Sequence, residues 1–94
     1  MQRGIQMPDY ETAIKLYYGR TELSNNDIRE LFGGKISSGT IVKLKKMAKQ
    51  EMVKEDIYTW QPNHVNTKIA YKTWNLDINE MEKNYNKLKK MGLG

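Results

Sequence analysis

The 94-residue sequence predicts an all-α fold of four or five short helices. Three observations lead there. Apolar residues recur at spacings of three and four. The periodic segments open on residues able to cap a helix, and most close on Gly or Asn. The one extended stretch, Ile57, Tyr58 and Trp60 ahead of Pro62, has no second strand in view to pair with.

The first segment is PDYETAIKLYYG, where Tyr10, Ala13, Ile14, Tyr17 and Tyr18 form one stripe, Pro8–Asp9 makes the start and Gly19 suits a left-handed stop. In LSNNDIRELFGGK, Ser24 caps, Asp27 follows three residues later, and Leu23 and Ile28 make a hydrophobic staple. Ile28, Leu31 and Phe32 supply the apolar face, and Gly33–Gly34 ends the helix. The third segment, KISSGTIVKLKKMAKQEM, is capped by Ser37 or Ser38. Ile41, Leu44, Met47 and Ala48 share a face, while Thr40, Lys43, Lys46 and Gln50 lie on another side, flanked by Val42, Lys45 and Lys49.

Residues 54–64 read as a connection, with Ile57, Tyr58 and Trp60 expected to pack down on the core. VNTKIAYKTW then places Ile69, Ala70 and Trp74 inward behind an Asn66 cap. After Asn75–Leu76, Asp77 caps DINEMEKNYNKLKKMG, whose stripe is Ile78, Met81, Tyr85, Leu88 and Met91. Its acids come early and its lysines late, as the helix dipole favours.

The length suits a single domain over residues 1–94, and 38% hydrophobic content without low-complexity runs suits a globule. The absence of cysteine excludes disulfide and thiol chemistry and fits a cytoplasmic location. No signal-peptide core is expected in MQRGIQMPDY and no apolar run approaches a membrane span, so no membrane partner is expected.

The net charge of +5 is unevenly placed. Residues 1–36 hold five bases against five acids, and residues 51–94 hold seven against six. Residues 37–50 hold Lys43, Lys45, Lys46 and Lys49 with no acid at all. Such a segment attracts phosphate backbones by Coulomb force and counterion release. Enzyme signatures are lacking: there is no carboxylate pair in a catalytic setting, no nucleophile beside a base and no phosphate-cradling loop. His64 is the only histidine, so no metal site, cofactor or small-molecule substrate is expected.

A capped short helix, a Gly turn and a basic capped helix make a helix-turn-helix over residues 24–50. In the run ISSGTIVKLKK, Ile36, Ser37, Thr40, Ile41 and Leu44 resemble the start of a helix-turn-helix recognition helix. That resemblance implies double-stranded DNA as partner. Ser38, Gly39, Thr40 and Lys43, following Ser37, would approach bases, and Lys45, Lys46 and Lys49 would approach the backbone. Two places depart from the pattern: Arg29 stands where a small residue is usual, and the GGK turn is about two residues longer than usual. The helical pair within 65–92 keeps the small residue (Ala70), but its last helix begins with Asp77, Glu80 and Glu82, which phosphates repel. Core completion or self-association suits it better.

Over most of its length the chain is similar to the small helix-turn-helix DNA-binding proteins of bacteriophages and mobile elements of Gram-positive bacteria. The segments MPDYETAIKLYYGRTELSN and NTKIAYKTWNL carry that likeness. It implies a non-enzymatic role in transcription regulation or DNA handling, with a homodimer where the target is palindromic. The alternative is a protein-interaction or assembly module, such as a small phage packaging or adaptor subunit. The stretch KLKKM occurs at 43–47 and again at 87–91, six residues after Ser37 and ten after Asp77. The copies are one helical turn out of register and reflect shared helix patterning rather than a tandem copy.

Overall fold

The computed structural model describes residues 8–92. Five helices and one two-residue strand pair follow in the order α1 (Tyr10–Gly19), β1 (Glu22–Leu23), α2 (Asn25–Leu31), α3 (Ser38–Lys54), β2 (Val65–Asn66), α4 (Thr67–Thr73) and α5 (Ile78–Lys90). The fold is all-α apart from that pair.

Each helix begins on a side chain that accepts from an otherwise unpaired amide. Asp9 accepts from the Thr12 amide at 3.1 Å. Ser24 and Asp27 exchange hydrogen bonds at 3.0 and 3.2 Å, a complete capping box. Ser37, not Ser38, starts α3, accepting from the Thr40 amide at 3.1 Å. Asn66 and Asp77 do the same for α4 and α5.

Three helix ends share one device. After α2, α3 and α4 a residue turns left-handed, and the next amide donates to the carbonyl five residues back. Gly33 (φ 85°) precedes Gly34, whose amide reaches the Arg29 carbonyl at 2.7 Å. Asp56 (φ 57°) precedes Ile57, bonded to the Met52 carbonyl at 2.9 Å, and Asn75 (φ 63°) precedes Leu76, bonded to the Tyr71 carbonyl at 2.7 Å. The expected left-handed stop at Gly19 is not there. Helix α1 runs through Gly19 and ends at Arg20 in extended backbone (φ −131°), because the chain passes at once into β1.

The strands pair antiparallel, Glu22 with Asn66 and Leu23 with Val65. The Thr67 amide continues the pairing by donating to the Thr21 carbonyl at 3.0 Å. An extended stretch was expected at 57–60, but the strands lie at 22–23 and 65–66, too short to show a period of two. The order strand, seven-residue helix, reversal, longer helix thus occurs twice, and the residues before the two caps, Leu23 and Val65, face each other.

One core cluster joins all elements. Leu23, Ile28, Leu31 and Val65 are its inaccessible centre. The face of α1 is turned slightly from the expected stripe: Ala13 and Leu16 are buried, Tyr10 and Tyr17 pack beside them, and Tyr18 is exposed. In α3 the buried residues are Ile41, Leu44, Ala48 and Met52, while Met47 lies nearly half exposed. In α5 only Met81 is buried, Ile78 packs against the core and Met91 is exposed, so the expected stripe is buried at one end. Polar atoms of large side chains are satisfied within the core. The Tyr71 hydroxyl donates to the Ala13 carbonyl at 2.6 Å, and the Trp74 indole donates to the Leu44 carbonyl at 2.9 Å while packing on Phe32. Among the described residues no helix is long and apolar enough to cross a membrane.

Burial pushes the Tyr71 phenol well above its ordinary value. The unfolded chain releases this proton near pH 10 whereas the folded chain keeps it, so this contribution is complete below about pH 10 and declines above it. Urea titration of Tyr71→Phe is expected to show a loss of about 1 kcal/mol at neutral pH, with a smaller further loss at alkaline pH than the unaltered chain. Leu23→Ala, which opens a void at the centre, is expected to cost about 3 kcal/mol in the same titration.

Candidate nucleic-acid interface

The outward side of α3 is defined by its buried side. With Ile41, Leu44, Ala48 and Met52 inside, Gly39, Lys43, Lys46 and Gln50 follow at i, i+4, i+7 and i+11 on the opposite side, all exposed. They form a ridge about 17 Å long at 1.5 Å per residue. No acid lies in its first turn, so the positive end of the helix and the lysines act in one direction.

The eight residues expected at the interface fall into groups. Ser37 Oγ holds the start of α3, accepting from the Thr40 amide and lying 2.9 Å from Thr40 Oγ1. Its role is to cap, and its hydroxyl and that of Thr40 serve each other. Ser38 Oγ accepts from Arg29 Nη2 at 3.3 Å. Gly39 faces open space: an added Cβ would come no nearer than 4.0 Å to Ser37 Oγ. Lys43 and Lys46 are exposed, with no hydrogen-bond or ion-pair partner among the described residues.

Lys45 and Lys49 differ. Lys45 is half-buried, donates to Asn25 Oδ1 at 2.9 Å, and has its pKa lowered by desolvation and by the Lys49 charge. Lys49 donates to the Pro62 carbonyl. These two amines are committed inside the molecule, one to the start of α2 and the other to the 56–64 loop. The basic face is therefore led by Lys43 and Lys46.

Arg29, at the departure from the usual small residue, reaches across the long Gly turn to the first residue of α3. It ties the bracing helix to the exposed one. In the second unit, Ala70 is wholly buried and α5 packs along α1, with Tyr18 hydrogen-bonded to Glu82, which raises its pKa. Of the acids at the start of α5, Asp77 is thus engaged in capping and Glu82 lies against α1.

The connection at 54–64 corrects the expectation most clearly. Ile57 packs on the core, but Tyr58 is 80% exposed and Trp60 93% exposed. The loop backbone is nevertheless tied down. The Glu22 carboxylate accepts from the Trp60 amide, from the Gln61 amide at 3.3 Å, and lies 3.2 Å from His64 Nδ1. Thr59 Oγ1 donates to the Gln61 carbonyl at 2.8 Å. A groove of about 400 Å³ runs between Lys49, Met52, Val53 and the loop residues Tyr58 and Pro62. Helical periodicity carries no information about Trp60, which lies outside any helix; its place among Pro and Asn was the only hint of exposure. Among the described residues no three metal-ligating side chains come together.

No protein-family model matches the chain, and no curated protein or solved structure does.

The amide of Trp60 leads the interactions that hold the Glu22 carboxyl below the usual carboxylate range. Its anchoring is complete above about pH 4.5 and is lost as pH falls through the lowered value. Glu22→Gln is expected to speed amide hydrogen exchange at Trp60 and Gln61 on the order of tenfold, leaving Leu23 and Ile28 unchanged. Acidification of the unaltered chain through that lowered value should reproduce the pattern.

Proposed function

We propose that the chain is a non-enzymatic helix-turn-helix protein that binds double-stranded DNA through α3, with α2 as the brace. The observation that carries this reading is the exposed, acid-free ridge of Gly39, Lys43, Lys46 and Gln50 beginning at a capped, outward-facing helix start. Ser38, Gly39, Thr40 and Lys43 lie at the end of the helix that approaches base edges in the major groove. Lys46, one turn further along, lies where a phosphate would be neutralised. Gly39, with open space around it, lets the backbone come close to a base pair.

Transcription regulation or DNA handling in a bacteriophage or mobile element is the role that the sequence resemblance favours. A palindromic target would bring two copies together. The second reading, a protein-interaction or assembly subunit, draws on exposed Val42, Val53, Tyr58 and Trp60.

Titration with random-sequence duplex at two salt concentrations decides between them. Affinity is expected to fall steeply with salt, and Lys43→Gln and Lys46→Gln should each lower the slope of log K against log salt by about one. Lys45→Gln should change the slope less, because that amine is turned towards Asn25. Absence of duplex binding at low salt overturns the reading in favour of assembly.

A further inference from the structure

We infer that the loop at 56–64 is a second DNA-contacting element, in which Trp60, supported by Tyr58, presses as an apolar wedge against the minor-groove edge beside the major groove taken by α3. This rests on the reading of α3 as the DNA-binding helix.

Four features place the wedge there. First, the exposure of Trp60 is built. Its amide is fixed on Glu22, and the neighbouring Pro62 carbonyl is fixed on Lys49, yet the indole stands 93% in water. A loose loop could fold such a ring onto the groove beside Val53 and Tyr58; this loop holds it out. Second, the aromatic pair sits in the loop that the basic helix itself holds. Lys43, Lys46 and Lys49 climb α3 towards the loop, and the last of them bonds to it. Third, the nearby acids are engaged with donors. Glu51 pairs with Lys54 at 3.2 Å, Glu55 with Lys72 at 3.2 Å, and Asp56 accepts from the Tyr58 hydroxyl at 2.8 Å. The charges of Glu51 and Glu55 are therefore compensated by lysines where a phosphate ridge would pass.

The fourth feature is length. The ridge from Gly39 to Gln50 spans about 17 Å, whereas the major groove is about 12 Å wide. With α3 set across the groove, an element at its far end would meet the phosphate ridge and the minor groove beyond it. Apolar side chains there unstack or press on base steps and add contact that is independent of charge. A ring already fixed by its backbone gives up little freedom on docking.

The test uses the full chain and a random-sequence duplex at two salt concentrations. Trp60→Ala is expected to weaken binding about tenfold, the scale of one aromatic–base contact, with the salt slope unchanged. Trp60→Phe should bind nearly as the unaltered chain does, but should lose the duplex-induced change in tryptophan emission, since Trp74 is packed against Phe32. Equal affinity of Trp60→Ala and the unaltered chain at both salts overturns the wedge while leaving α3 as the binding helix. A slope lowered by about one in Trp60→Ala also overturns it, because the loop then acts through a phosphate contact. Absence of duplex binding by the unaltered chain overturns both readings.

Discussion

The pairing of Glu22–Leu23 with Val65–Asn66 is the smallest element of the structure, and the others are positioned from it. Two residues of ladder stabilise little by themselves, but this pair lies at the centre of the core, where Leu23 and Val65 are inaccessible to solvent. Ser24 caps α2 directly after β1, and Asn66, the last residue of β2, is itself the cap of α4, so fixing the strands fixes where α2 and α4 begin. Those two short helices then end with Phe32 against Trp74, and Trp74 in turn holds the α3 backbone through Leu44. Seven-residue helices are marginal alone; tied at one end by a strand and at the other by an aromatic contact, they become rigid supports.

The same strand pair governs the surface. Glu22 leaves β1 and gathers three donors from the 60–64 loop, so the segment between the two units is ordered by a carboxylate almost forty residues away. Lys49 secures the loop from the other side. Four lysines that look alike in sequence are thereby divided. Lys45 and Lys49 join elements of the fold, and Lys43 and Lys46 are left to the solvent. Net charge on a segment shows that a basic face exists; only packing shows which ammonium groups are available to a partner.

Much of this was legible in the sequence where the signal is local. The Ser24–Asp27 box, the Asn66 and Asp77 caps, the Gly33 reversal and the inward Ile41 and Leu44 all follow from neighbours within four residues. The strands were not legible, because two residues cannot show a period and their pairing spans forty-two positions. The stripe of α1 was misplaced by a fraction of a turn: Leu16, not Tyr18, faces the core, since both α2 and α5 press on that helix. Trp60 was expected to pack on the core; instead it is exposed on a backbone that Glu22 holds, a contact that sequence spacing does not encode. At the α3 face, the basic character was legible, whereas the capping duty of Ser37 and the Arg29 link to Ser38 needed the three-dimensional arrangement.

The two strand–helix–helix units differ most simply at their reversals. Four residues lie between Phe32 and Ser37, but two between Trp74 and Asp77, although each turn opens on a left-handed residue and closes on a buried aliphatic one, Ile36 or Leu76. The longer reversal leads to the helix whose lysines stand in water, the shorter to the helix that lies along α1. A shared plan with unequal reversals thus leaves one closing helix packed within the molecule and the other turned to solvent. Trimming or lengthening a single reversal would then be a small step by which such a chain could change which of its halves faces the outside world.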